Sequence, residues 1–577
     1  MPVAELVVGL DDRFRLLNRG VRTTRLRQKT LRAVVDWSYG LLFDDERRVL
    51  DRLSVFTGGC DLTAARVVCS DDAITADDVT ELMTRLADKS LITLEDPDGD
   101  GHVRCRMLET LVEYGRERLA ASGDSARVRT AHARYYRDLA AGSAAALRGI
   151  DQRRWLYAIA SNIGNLRAVF ETATGSGDAA TAQQLAGSLG WYWWFTGRAV
   201  EGSAWLTLAD SEGGGTDDLS RARVLAWAAF TGAPGFVHWA DVDELAPVAT
   251  PRLGDDVDER CTEAISLYRR AGAADELAAI ETALAVTYST RGDHSRARDL
   301  LCDAEEILAG LEPLPWARAM LAFVSGRRAF LENRYQDAEE ALCASVSLLD
   351  AVGGEAHSSF AYRYMGRLAA VRGDYDASVQ AITTALRLAR GLGLSAFAHV
   401  LLADLAASLA AKGEFELARR ALDEPLVSAR DQRHATGVRR ATTALAWVEW
   451  RANNIAEAVR LAPCALRPGR SPEGGETAVH CSVILGLASQ RRGEIAHARA
   501  CHRDALEMAR RTGDPRLAAL ALEGLAAAVL SDRDGGGPRS FSGRRRRSAG
   551  RSDKRPDGGS RPSRPLTPMR RWPVPAR

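Results

Sequence analysis

A residue suited to closing a helix recurs at a nearly fixed interval through the second half of the chain. Gly292, Asn333, Gly373, Gly413, Asn453 and Gly493 stand 41 residues apart once and 40 thereafter. Gly and Asn enter the left-handed backbone region most readily, so the series reads as one C-cap and tight turn repeated six times. Five residues past each turn sits a small side chain: Ala297, Ala338, Ser378, Ala418, Ala458, Ala498. Seven residues before each turn lies another: Ala285, Gly326, Gly366, Ala406, Ala446, Gly486. Small residues at fixed points on two successive helices let their backbones approach closely. Such a unit cannot bury its apolar face alone and must stack on its neighbours, so the expected form is an α-solenoid rather than one compact core. The length of 577 residues agrees, being more than one core accommodates.

Leu-Gly ahead of the turn and Gly373-Asp374-Tyr375 with Ser378 across it resemble the tetratricopeptide signature. The resemblance implies a right-handed stack of helical hairpins, with a period longer than the usual repeat and hence longer helices or connections. Gly197 is a plausible earlier turn, whereas residues 232–258, with Pro234, Pro247 and Pro251, interrupt the phase as a long loop or degenerate repeat. Pro425 and Pro463 fall inside second helices and are expected to kink or shorten them. In the last unit Leu525-Ala526 places the next turn near residue 533, and there the pattern stops. From Ser531 onward the chain carries thirteen Arg and one Lys against four Asp, amid Gly, Pro and Ser. This composition cannot bury a core, so the tail is expected to be disordered, with non-specific nucleic-acid contact open to it. A frameshift or similar gene-end change is the expected origin of this tail.

Ahead of the repeats, residues 30–42, 44–56, Leu62–Val68 and Asp77–Ser90 carry apolar residues at helical spacing. Two strand-like runs follow, LITLE and HVRCRML, joined by Asp-Pro-Asp-Gly-Asp-Gly. Helices followed by a two-stranded wing describe a winged helix. Its candidate recognition helix holds Asp77, Asp78, Glu81 and Asp88 against Arg85 and Lys89, a balance that phosphate repels. A packing role is therefore expected, with DNA binding by this element or by the tail as the alternative.

The phrases LDDRFRLL (10–17), RQKTLRAVVDWSYGLL (27–42), ERRVLDRLSVFTGG (46–59), LADKSLI (86–92) and RMLETLVEYGRERL (106–119), followed by the repeats, resemble a bacterial regulator family. These are the LuxR-type and antibiotic-regulatory-type transcriptional regulators built on a signal-transduction NTPase. The resemblance implies a winged helix that closes over a nucleotide held by the neighbouring NTPase domain. The family's nucleotide-sensing motif aligns with Met107, Leu108 and Glu109, where leucine cannot donate the expected hydrogen bond. The chain holds no Gly-Lys dipeptide, and a phosphate loop needs that lysine. The sequence therefore reads as starting where the NTPase domain ends, with Met1 an internal methionine of a longer ancestral frame, and as a non-enzyme without cofactor. It resembles a regulator lacking both the NTPase domain and the terminal DNA-binding domain. An in-trans partner of a separate nucleotide-binding chain is a further alternative.

These readings divide the chain into the end of the NTPase module and winged helix (1–122), linker helices (123–165), the repeat array (166–530) and the tail (531–577). The partner is expected in the repeat groove, as a protein or small inducer. Arg327, Arg328, Tyr362, Arg363 and Arg367 on two adjacent first helices suggest a basic, partly aromatic patch for an acidic peptide or anion, against the plainer reading of solvated arginines. Trp191, Tyr192, Trp193, Trp194 and Phe195 read either as an aromatic cage for a cationic or sugar-like inducer or, more in keeping with such runs, as core between hairpins. The ten histidines and nine cysteines show no metal-ligand spacing. No uninterrupted apolar run reaches membrane-span length, and a cytoplasmic location is expected.

Overall fold

A computed structural model describes residues 32–95, 103–211, 217–231, 256–290, 293–311, 314–431, 435–462, 475–512 and 515–533. After a helical stretch over 32–40 come α1 (Asp44–Leu53), β1 (Cys60–Asp61), α2 (Leu62–Cys69), α3 (Ala76–Asp88), β2 (Ile92–Glu95) and β3 (Arg104–Met107). The strands form an antiparallel sheet in the order β1-β3-β2, with Cys60 opposite Cys105 and Ile92 opposite Met107. This is a winged helix. The sequence reading supplied the wing strands and missed β1, whose two residues are too short to show alternation. The predicted hairpin turn between the wing strands lies outside the described residues.

Local chemistry sets these boundaries. Thr75 caps α3, its side chain accepting from the Asp78 amide while Asp78 accepts from the Thr75 amide. Arg52, almost fully buried, ties the domain together. It donates to the Cys69 carbonyl at 2.6 Å and to Asp124 at 2.8 Å, and it pairs with Asp71. Burial raises the Asp71 carboxyl, but Arg52 and the amides of Ile74 and Ala73 outweigh it and hold the group well below the usual range.

Three helices follow: α4 (Glu109–Ser122), α5 (Ser125–Ala146) and α6 (Gln152–Ser176). They seat the winged helix firmly. Fully buried Asn165 on α6 accepts from the Thr57 amide at 2.7 Å and donates to the Gly59 carbonyl at 2.8 Å. Arg104 of β3 reaches the Ser161 carbonyl at 2.8 Å.

The array continues with α7 (Ala179–Ser188), α8 (Gly190–Thr196), α9 (Ala199–Ser211), α10 (Asp218–Thr231) and α11 (Asp256–Ala271). The in-phase hairpins are α12 (Ala274–Thr290) with α13 (His294–Ala309), α14 (Pro315–Leu331) with α15 (Tyr335–Val352), and α16 (Glu355–Val371) with α17 (Tyr375–Gly391). They continue as α18 (Ser395–Lys412) with α19 (Phe415–Asp431), α20 (Ala435–Arg451) with α21 (Ile455–Leu461), and α22 (Gly475–Arg491) with α23 (Ile495–Thr512); α24 (Pro515–Arg533) follows.

The turn series holds where it is described. Asn333, Gly373, Gly413, Asn453 and Gly493 all have positive φ, as does Gly197, while Gly292 lies outside the described residues. The small positions are buried, and the glycines among them mark real contact. A Cβ on Gly326 would stand 2.9 Å from Leu342, one on Gly366 2.6 Å from Ile382, and one on Gly486 2.6 Å from the His502 ring. Each partner is sixteen residues on, so one register closes every such hairpin. Pro425 does not shorten its helix, because α19 runs through it for 17 residues. Pro463 lies outside the described residues, beyond the 7-residue α21. The interrupting segment 232–255 and the tail from 534 lie outside the described residues.

His502 sits between two helices, because a Cβ on Gly524 of α24 would also fall 2.4 Å from its ring. Gly486→Ala or Gly524→Ala is expected to cost about 1–3 kcal/mol through this overpacking. Hydrogen exchange of α22 to α24 checks it, with faster exchange there than in the winged helix.

The array closes on itself. The Ala356 amide donates to Gln152 Oε1 at 2.8 Å, 204 residues away, and Arg153 pairs with Glu355 at 2.8 Å. Gly353 lies against Ile150 so closely that a Cβ would stand 2.9 Å away. These separations equal about five repeat lengths, so hairpins five units apart touch. By length and composition α18 is apolar enough to cross a membrane, with a mean hydropathy of 1.3, yet half of it is buried against its neighbours.

Candidate functional site

Three regions carry the residues singled out in the sequence. The first is the winged helix. Its α3 has no cation to spare among its recognition-face candidates: Arg85 pairs with Glu81, and Lys89 pairs with buried Glu46 at 2.5 Å and lies over the Phe43 ring. Asp77 is bound by Arg66 at 2.6 Å. Met107 ends β3, Leu108 is 69% exposed at the start of α4, and Glu109 opens that helix. Val34, Trp37, Leu41 and Phe43, on and just after the helical stretch 32–40, are also exposed, so the domain presents apolar side chains there.

The second region lies on α14 and α16, the first helices of consecutive hairpins. Arg327 and Arg367 occupy equivalent positions 40 residues apart, each directly after a close-approach glycine, Gly326 and Gly366. The tight approach presses both guanidiniums toward the same neighbours. Arg327 donates to the Tyr364 hydroxyl at 3.1 Å. Arg363 and Arg367 lie over the Tyr364 ring at 5.7 and 5.8 Å, and Arg367 also lies 5.5 Å from the Phe330 centroid. From α24, Arg516 stacks on Phe330 at 4.5 Å. Burial raises the Tyr364 hydroxyl, but Arg327, Arg363 and Arg367 together outweigh it and bring it below the ordinary phenol value. Asp404 of α18 accepts from Arg363 at 2.6 Å.

Of the five residues expected in this patch, Arg327, Arg363 and Arg367 come together. Arg328 turns back to Glu332 of its own helix at 3.2 Å. Tyr362 is buried on another face, where burial first and then Asp350 raise its hydroxyl.

The third region is the aromatic run on α8. All five residues are at most 2% exposed. Trp193 packs edge-on against Trp205, while Trp191, Trp194 and Phe195 turn toward the later hairpins. Trp191 meets Trp227 at 4.8 Å and Trp316 at 5.1 Å. At the centre stands His357, with ring centroids of Phe195, Trp316, Phe360, Trp194, Trp191 and Phe323 between 4.9 and 6.5 Å away. Neither imidazole nitrogen has a hydrogen-bond partner among the described residues, and burial lowers its pKa to about 3. The imidazole is therefore neutral, facing ring surfaces that accept N–H contacts weakly. The run is packed core in this structure, with no open cage face.

Comparison with known proteins adds to this geometry at one end of the chain. Residues 42–120 match the family model described as a winged helix-turn-helix domain. A protein of Mycobacterium tuberculosis named "Putative HTH-type transcriptional regulator" is 40% identical over 206 residues, and so is one from Mycobacterium bovis. The match takes in 36% of this chain, and the chain covers only about a quarter (23%) of the relative's length. An uncharacterized M. tuberculosis protein is 35% identical over 122 residues, 21% of this chain and 30% of its own. Among solved structures, a Signal Transduction ATPase with Numerous Domains protein with a tetratricopeptide repeat sensor, from Pyrococcus horikoshii, superposes with a TM-score of 0.43 at 13% identity. It covers 84% of this chain and 66% of its own. A Rap protein complexed with competence and sporulation factor superposes with a TM-score of 0.39 at 12% identity, over 69% and 99% of the two chains. Superpositions this loose say nothing about ligand or activity.

Three residues of the arginine cluster escaped the sequence reading. Tyr364 was two positions from the tyrosine chosen, and helical spacing from Arg367 would have found it, since i and i+3 share a face. Phe330 and Arg516 belong to different turns of the array, and only the winding that brings α24 onto α14 joins them.

Proposed function

We propose that this chain is a regulatory binding module in which the repeat array captures an acidic segment of a protein partner. The observation that carries this reading is the convergence of Arg327, Arg363, Arg367 and Arg516 on Phe330 and Tyr364, with Asp404 the carboxylate paired to Arg363. Guanidiniums stacked on rings keep their N–H edges in fixed directions, which suits carboxylates. The match of residues 42–120 to a winged helix-turn-helix domain and the 40% identity over 206 residues to a helix-turn-helix regulator support a role in transcription regulation, exerted by binding rather than catalysis and in the cytoplasm. In this reading the winged helix is a rigid platform, not a DNA reader, because the cations of α3 are spent on Glu81 and Glu46. The LuxR-type resemblance and the four-part division of the chain are kept as parts of this proposal, as is docking of the apolar end of the winged helix on a nucleotide-binding domain supplied by another chain or an upstream segment.

Fluorescence anisotropy with a labelled octaglutamate tests the groove. Saturable binding that weakens with salt is expected, and Arg327→Glu and Arg367→Glu should each weaken it by at least about tenfold, or 1.4 kcal/mol. Binding that ignores both substitutions would overturn the assignment, and sequence-selective retention of duplex DNA lost on Lys89→Glu would overturn the platform reading.

A further inference from the structure

Between α11 and α13 lies a cleft of about 570 Å3 lined in part by Arg269, Arg296, Asp299 and Asp303. A second hollow of about 300 Å3 adjoins it and shares Arg269 and Asp303. Together they have the size of small-molecule sites. Leu277 of α12 lines the second hollow, and one helical turn further on the same helix face stands Glu281. Glu281 is fully buried, and neither carboxyl oxygen has a hydrogen-bond partner among the described residues. Buried polar atoms left without partners are uncommon and costly. Its nearest charged neighbour, Arg269, stays 3.7 Å away, beyond hydrogen-bond reach, and stands 3.9 Å from Asp303. Arg269 is more than half exposed and so is free to swing aside.

The repeat explains why the cleft exists. Two units on, the position of Glu281 is taken by Tyr362, whose surroundings, Cys343 and Asp350 of α15 and Arg387 of α17, are the corresponding gap between second helices. There a phenol ring fills the space. Here the shorter carboxyl of Glu281 stands behind the cleft wall, 3.7 Å from the Arg269 guanidinium that lines it.

We propose that this cleft binds a small zwitterion of the amino-acid or dipeptide class. The ligand ammonium takes the place of the Arg269 guanidinium against Glu281 and Asp303, and the ligand carboxylate is received by Arg269 and by Arg296, which otherwise rests over the Tyr288 ring. Burial first, and then Asp303, raise the Glu281 carboxyl to about 8, while Arg269 lowers it, so an arriving ammonium would displace a proton. The site is independent of the arginine cluster on Tyr364, and either assignment can fail without the other.

Saturation-transfer NMR on the full chain, with dialanine and the standard L-amino acids as probes, tests it. Saturable binding of at least one probe with a Kd below ~1 mM is expected. Dialanine capped at both ends should not bind. Glu281→Gln should weaken binding by at least about tenfold without lowering the melting temperature, and Arg363→Glu should leave it unchanged. Should Glu281→Gln fold poorly, the rim substitution Arg296→Gln is expected to weaken binding while keeping the melting temperature. Absence of saturation for every probe, or affinity unchanged by both substitutions, would overturn the proposal.

Discussion

Trp191→Ala is expected to destabilise the repeat array by about 3–5 kcal/mol, the range for emptying a large aromatic site in a close-packed core. The effect is large because Trp191 touches rings from three other hairpins: Trp227 of α10, Trp316 of α14 and His357 of α16. Those rings come from separate helices and cannot collapse into the gap without moving whole hairpins. Hydrogen exchange gives the decisive reading. Protection should fall both in α8 and in residues 353–360, although more than 150 residues separate them. Loss confined to α8 would show that the turns of the array are not coupled through this cluster.

The second large effect is a pH dependence carried by His357. Its native pKa is about 3 against an ordinary 6.5, lowered by burial alone. Between those values the unfolded chain binds the proton and the native chain does not. The stability due to the neutral ring is therefore complete above pH 6.5 and is lost as pH falls toward 3, at roughly 1.4 kcal/mol per unit. Glu281 works in the opposite sense: raised to about 8 from 4.5, it costs most at high pH, and that cost vanishes as pH falls from about 8 to 4.5. The raw pH profile mixes the two, so the measurement is a difference. Relative to wild type, His357→Leu is expected to gain stability steadily from pH 6.5 down to about 3 and to show no trend above 6.5. A difference that does not change with pH would mean the imidazole takes up its proton in the native state as readily as in the unfolded chain. His132, pushed down to about 4 by burial although it bonds Asn165, adds an acid-sensitive element where the winged helix meets α6.

The repeats and the sites were not equally legible in the sequence. Turn residues and small positions are local demands, one set by positive φ and the other by backbone approach. Asn333, Gly373, Gly413, Asn453 and Gly493 could therefore be named from spacing alone. Pro425 does not end α19, because a proline removes one hydrogen bond, which the packing of α19 on its neighbours outweighs. The arginine cluster was half legible. Arg327 and Arg367 follow from the period, whereas Arg516 arrives from α24 through a winding that no local pattern encodes. Glu281 was passed over because a lone acid in a helix carries no motif. Its meaning comes from the Tyr362 that fills the equivalent space two units later.

Contacts such as Gln152 to Ala356 and Arg153 to Glu355 change what kind of object the array is. An open solenoid resembles a stack of coins, from which one unit can be added or removed while its neighbours close up. Here α6 also answers to α16 and α14 to α24, about five units apart, so a gain or loss of one repeat between them would bring these turns into contact with the wrong partner. Such an array is inherited as a lock with a fixed number of wards, and its length is as much a part of its specificity as the side chains that line it.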